Sequence, residues 1–261
     1  MESLPTGKPF HRLSVFFRLF VVFIIIGPFS LIYLAVCIPF LPFRGLRIRI
    51  GDLYGKAVGG LICRIAGIRP VLINPERIQE YKPAMYVCNH TSTIDMWTGM
   101  YLAPFGTCGV AKTEIVKVPF FGLAYLLSGH LLIDRSDRAK AVASMEKARR
   151  TIKKHKLSLW MWPEGTRSRT GRLQPLKKGF VHLAISTGLP VVPVIFHNAD
   201  LYWPPRSFRV TPGKLRIEVL EPLDTSDWKP EQASQHAMEV WRAFQNAIPE
   251  RQRGPEPESD L

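Results

Sequence analysis

Ala84-Met85-Tyr86-Val87-Cys88-Asn89-His90-Thr91-Ser92-Thr93-Ile94-Asp95 is the stretch on which the reading of this chain turns. Its first five residues are uniformly apolar, as expected of a strand buried on both faces. An imidazole and a carboxylate then follow where such a strand would open into a loop. On one continuous helix, His90 and Asp95 would point ~140° apart at ~100° per residue. They can share a site only if His90 lies in the loop and Asp95 in the first helical turn. Ser92-Thr93-Ile94-Asp95 fits a capping box, which predicts a helix starting near Ser92. Taken alone, the motif reads equally well as a helix cap beside a loop histidine.

Working outward, Gly51 to Ile68 reads as a helix with interspersed glycines, followed by a strand at Val71 to Asn74. After the central motif come a helix from Ile94 to Leu102 and a strand from Cys108 to Ala111. An apolar helical stretch opened by Val118-Pro119-Phe120-Phe121-Gly122 runs to Leu127, and Leu131 to Ile133 reads as a strand. A basic amphipathic helix spans Ala139 to His155, and an apolar strand spans Ser158 to Trp162. Lys178 to Thr187 is helical, Val191 to Ile195 a strand, Leu215 to Leu220 an edge strand, and Glu231 to Ile248 a last amphipathic helix. Short buried strands alternating with helices predict an α/β fold: a mostly parallel or mixed sheet flanked by helices. From Arg251 onward the composition is that of a disordered tail.

The N-terminal part differs in kind. Leu19 to Phe43 is a run of 25 residues without a charge, long enough for one helix to cross a hydrocarbon core of ~30 Å. Gly27-Pro28 divides it, however, and Pro39 and Pro42 break its end. Lys8, Arg12 and Arg18 precede it and Arg44, Arg47 and Arg49 follow, so both flanks carry the charge that favours the cytoplasmic side. The expectation is a membrane-embedded hairpin of two short helices dipping into one leaflet, with a single kinked span as the alternative. The chain thus divides into an anchoring segment, 1–50, a globular domain, 51–250, and a tail, 251–261.

Formal charge is +14, and residues 146–178 hold eleven Lys or Arg against two carboxylates. Such a patch attracts phospholipid head groups, phosphate-bearing substrates, coenzyme A or nucleic acid. No zinc-finger spacing, basic zipper or ribonucleoprotein-type motif accompanies it, so a nucleic-acid partner is not expected. Cys37, Cys63, Cys88 and Cys108 have neither metal-ligand nor redox spacing and read as buried free thiols. No metal site and no Gly-x-Ser-x-Gly nucleophile elbow is evident.

Three further motifs stand at strand ends or in strands. Trp162-Pro163-Glu164-Gly165-Thr166-Arg167 closes an apolar strand, where ligand loops gather in α/β folds. Its Gly165 permits close backbone approach, and Arg167 could grip phosphate through two hydrogen bonds. Leu131-Leu132-Ile133-Asp134-Arg135 is another strand ending in a charged pair, and Leu189 to Val194 is a proline-containing apolar strand.

In this order the four motifs resemble the signature blocks of the glycerolipid acyltransferases, specifically the 1-acylglycerol-3-phosphate acyltransferases. Asn89, His90 and Asp95 match the first block, Asp134 and Arg135 the second, Pro163 to Arg167 the third and Leu189 to Val194 the fourth. Trp162 stands where the family usually has phenylalanine. The resemblance covers roughly Tyr86 to Val194. It implies acyl transfer from acyl-CoA or acyl-carrier protein, as co-substrate rather than cofactor, to the free hydroxyl of a lysophospholipid. Lysophosphatidic acid is the default acceptor, with a lyso-aminolipid as alternative. It implies His90 as general base oriented by Asp95, phosphate binding by Arg135, Arg167 and Lys112, a glycerol pocket shaped by Glu164 and Gly165, and Thr166 among the substrate-binding residues. Membrane phospholipids would surround the anchor, with the catalytic domain on the cytoplasmic face. A non-catalytic, membrane-surface anion-binding protein would explain charge and anchor but leave His90 and Asp95 idle.

Overall fold

A computed structural model of the chain describes residues 4–117, 121–134 and 137–257. Along the chain the elements are α1 (Arg12–Cys37), α2 (Arg44–Ile65), β1 (Ile68–Ile73), α3 (Glu76–Glu80), β2 (Met85–Cys88), α4 (Ile94–Leu102) and β3 (Thr107–Lys112). They continue as α5 (Phe121–Ser128), β4 (Leu131–Ile133), α6 (Arg138–His155), β5 (Ser158–Met161), α7 (Gly179–Thr187), β6 (Val191–Phe196), α8 (Ala199–Tyr202), β7 (Gly213–Val219) and α9 (Ala233–Ala247). Val118, Pro119 and Phe120, expected to open the α5 stretch, lie outside the described residues.

Seven strands form one sheet in the order β1-β7-β6-β2-β5-β3-β4. β6, β2, β5, β3 and β4 all run the same way; β7 opposes β6, and β1 runs parallel to β7. The mixed, mainly parallel sheet therefore follows the expectation. Alternate residues of the central strands serve two cores: Met85, Val87, Leu159 and Met161 pack with α6, α7 and α9, while Tyr86, Cys88 and Trp160 pack with α2 and α4. Burial on both faces is why these strands read as unbroken apolar runs. All four cysteines are free and buried.

β7 is not an edge strand; it lies between β1 and β6. Its alternation of buried Leu215, Ile217 and Val219 with partly exposed neighbours reports that one face is covered and says nothing of lateral position. α1 also departs from expectation. It continues unbroken through Gly27 and Pro28 for 26 residues, and the chain reverses instead at Ile38–Phe43, where Pro39 and Pro42 lie. A proline removes one helical N–H, but here Val15, Tyr33, Leu34 and Cys37 on either side of it are buried against the protein, and this packing carries the helix past it. α2 crosses the boundary expected at residue 50 and packs on α4 through its glycines: a Cβ at Gly59 would collide with the Trp97 carbonyl oxygen.

Candidate active site

The five parallel strands end on one edge of the sheet, the edge where open α/β sheets bind ligands. There β2 delivers Asn89 and His90. The Asn89 side chain copies a strand pairing, donating from Nδ2 to Phe196 O (3.1 Å) and accepting from Phe196 N at Oδ1 (2.7 Å). The chain then turns, and α4 begins at Ile94.

His90 is fixed on every side. Its Nδ1 lies 3.0 Å from Asp95 Oδ2, an oxygen that also accepts the N–H groups of Thr91 (2.8 Å) and Ser92 (2.7 Å). Asp95 is fully buried in the first turn of α4, where the helix dipole favours its negative charge. The capping box is half formed: Asp95 caps the Ser92 N–H, whereas the Ser92 hydroxyl accepts from Ile94 N (3.2 Å) and donates to Trp203 O (2.6 Å). His90 N donates to Glu164 Oε1 (2.6 Å), His90 O accepts from Ser168 N (2.8 Å), and the imidazole stacks on the Trp162 indole with centroids 5.0 Å apart.

Glu164 comes from the loop after β5, with Gly165 in the left-handed region at φ +75° making the turn. Its second oxygen accepts from Gln174 N (3.2 Å) and Nε2 (3.1 Å). Burial pushes this carboxyl up to about 8, against the pull of the N–H groups of His90 and Gln174. Glu164 thus turns both oxygens to protein N–H groups, not to open space as a residue lining a glycerol pocket would. Thr166 is exposed, with its carbonyl accepting from Gln174 Nε2 (3.0 Å). The exposed Arg167 reaches over the His90 loop, its Nη1 3.2 Å from Thr93 Oγ1.

The sheet therefore brings His90, Asp95, Glu164, Gly165, Thr166 and Arg167 together. Lys112 is exposed at the end of β3, on the same edge but two strands from β2. Arg135 lies outside the described residues; Asp134 stands directly after β4. The Trp162 stack, the Gln174 prop and the Ser168 N–H are contributions that the motif alone does not disclose, because each depends on how the loop after β5 folds back over β2.

A histidine oriented by a buried carboxylate, beside an exposed arginine on the ligand edge of an α/β sheet, defines a class, and a family model for acyltransferases matches residues 69–197. The 1-acyl-sn-glycerol-3-phosphate acyltransferase of Limnanthes douglasii is 41% identical over 237 residues, covering 91% of this chain and 84% of that protein. The Escherichia coli protein of the same name is 33% identical over 200 residues, covering 77% of this chain and 79% of its own length. The crystal structure of the 1-acyl-sn-glycerophosphate (LPA) acyltransferase PlsC from Thermotoga maritima shares the fold, with a TM-score of 0.66 and 22% identity across 90% of this chain and 92% of that one. The chain belongs to the family of 1-acyl-sn-glycerol-3-phosphate acyltransferases.

Proposed function

We propose that this protein transfers an acyl chain from acyl-CoA or acyl-carrier protein to the free hydroxyl of 1-acylglycerol 3-phosphate, giving phosphatidic acid. The observation that carries the reading is the 3.0 Å contact between His90 Nδ1 and a buried Asp95 oxygen. With Nδ1–H donated to Asp95, the lone pair is left on Nε2, the tautomer a general base needs. As the acceptor hydroxyl attacks the thioester carbonyl, its proton passes to Nε2. The new C–O bond forms, the C–S bond breaks, and the imidazolium, stabilised by Asp95, returns the proton to the departing thiolate. The acceptor supplies the nucleophile, so no acyl-enzyme is needed. Arg167, with Lys112 and Arg135, would hold the phosphate, while Glu164 would act beneath the loop by positioning His90.

An apolar cavity of about 670 Å³ between α1, α2 and α4 supports a lipid substrate. Its wall includes Trp97 and Trp203; the Trp203 carbonyl accepts from Ser92 Oγ and Thr93 N in the His90 loop. The cavity thus has a wall residue bonded to the loop that carries His90. α1 is long and apolar enough to cross a membrane, but both its ends meet the same globular body. Phe10 N donates to Val210 O and Arg18 to Ile65 O near its start, and Cys37 packs with Ala124 near its end. This arrangement supports a helix lying in the plane of one leaflet, with the catalytic edge on the cytoplasmic side where both basic flanks would sit.

The test is acyl transfer from labelled oleoyl-CoA across a panel of lysolipids, by wild type and His90→Ala. Transfer to lysophosphatidic acid should fall by ~10²–10⁴ in the variant, the usual worth of a general base. Full activity of His90→Ala would sink the mechanism; transfer only to another lysolipid would replace the acceptor.

A further inference from the structure

The C-terminal segment from Arg251, read from the sequence as a tail, is docked against the loops behind the active site. Gln252 is fully buried in a short turn at Glu250–Gln252, and each of its free polar groups is taken. Its Oε1 accepts from Asn198 N (2.7 Å), its Nε2 donates to Phe196 O (3.3 Å), and its carbonyl accepts from Leu173 N (2.8 Å). Beside it, Arg251 grips Asp200 with two hydrogen bonds (2.7 and 3.0 Å) and donates to Asn198 Oδ1 (2.9 Å). Asn198 sits in the left-handed region at φ +54°, so the turn after β6 is held in a sparsely populated conformation by the segment bonded to it.

Two of the three partners of Gln252, Phe196 and Leu173, lead to His90. Phe196 exchanges two hydrogen bonds with Asn89, the residue before His90. Leu173 precedes Gln174, whose two N–H groups hold the Glu164 oxygen opposite the one that holds His90 N. We propose that the turn Arg251–Gln252 is a clamp on the catalytic histidine, with Gln252 its positioning residue, tying the loop after β5 and the turn after β6 to a common point. A buried amide serving only to fill space would be matched by an apolar side chain of similar size at no desolvation cost. What the amide adds is the fixing of the turn after β6, through Asn198 N and Phe196 O, at the residue whose main-chain carbonyl holds Leu173 of the loop after β5. The proposal rests on His90 being the base.

The experiment uses the full chain with Gln252→Met, which keeps the volume and removes both side-chain hydrogen bonds, alongside Arg251→Ala and His90→Ala. Steady-state transfer to lysophosphatidic acid is measured together with the folded fraction by circular dichroism at the assay temperature. Gln252→Met should lower kcat per folded molecule about tenfold with the acceptor KM within threefold, and Arg251→Ala should give a smaller fall of the same kind. Unchanged kcat per folded molecule, or a loss confined to KM, overturns the clamp. If Gln252→Met does not fold, Arg251→Ala decides by the same criterion. Retained transfer by His90→Ala is a different failure, that of the base assignment.

Discussion

His90 owes its pose to four groups: Asp95 on the ring nitrogen, Trp162 on the ring face, and Glu164 and the Ser168 N–H on the main chain. Glu164 is the instructive one, because a substrate-contacting and a positioning glutamate predict different kinetics. Glu164→Gln would place an amide NH₂ against either His90 N or the two Gln174 donors. Leaving buried donors opposed costs ~1–3 kcal/mol, or roughly five- to 150-fold if realised in the transition state. The expected result is a fall in kcat with the acceptor KM unchanged; a rise in KM alone would return Glu164 to the substrate pocket. Arg167→Ala should do the reverse, raising the acceptor KM roughly ten- to hundredfold with the loss of a charged hydrogen bond of ~1.5–3 kcal/mol. The His90–Asp95 pair was legible in the sequence because its geometry is local, a loop residue and a first-turn residue five apart. Glu164 was legible as a member of the site but not in its direction, since that depends on β2 and β5 lying side by side and on Gln174 folding back beneath it.

Among the elements, α2 is what joins the N-terminal helix to the sheet, and Asp52 is one of its fixings. Its Oδ2 accepts the N–H groups of Gly106 (2.7 Å) and Thr107 (3.2 Å) at the start of β3. Burial pushes this carboxyl up to about 7, against those two N–H groups and nearby Lys56. The folded state therefore holds the proton more tightly than the unfolded chain, whose aspartate titrates near ~3.9. Stability from this group is full below ~4, is lost as pH rises to about 7, and changes no further above it. Asp52→Asn keeps an acceptor for both N–H groups and removes the titration. Relative to wild type it should gain on the order of 3 kcal/mol between pH 4 and pH 8, read by thermal melts at both; an equal Tm difference at the two pH values would refute it. Element identities were legible from apolar periodicity, but the α1–α2 turn was not. Gly27-Pro28 is a stop signal on local grounds, and only the packing of Tyr33, Leu34 and Cys37 on the body explains why the helix runs on to the second pair of prolines.

Across the whole molecule, one face of the sheet is covered by α6, α7 and α9, while the other carries α2 and α4 with α1 laid over them. The outer side of α1 is left bare: Phe17, Phe20 and Phe23 are 68%, 60% and 62% exposed, beyond what a soluble surface tolerates as one continuous apolar stripe. The sequence showed the apolar run but not that its inner side would pack on the body, the packing on which the proposed in-plane arrangement of the helix rests. Each phenylalanine taken from water into lipid is worth ~1.5–3 kcal/mol, so Phe17→Ser with Phe20→Ser should weaken vesicle partitioning at least about a hundredfold. Neither residue lies at the catalytic edge. The doubly substituted protein should therefore pellet poorly with phosphatidylcholine vesicles yet retain transfer to lysophosphatidic acid presented in detergent micelles. Undiminished vesicle binding would mean that this face of α1 is not what meets the bilayer, and that the in-plane reading of the helix is wrong.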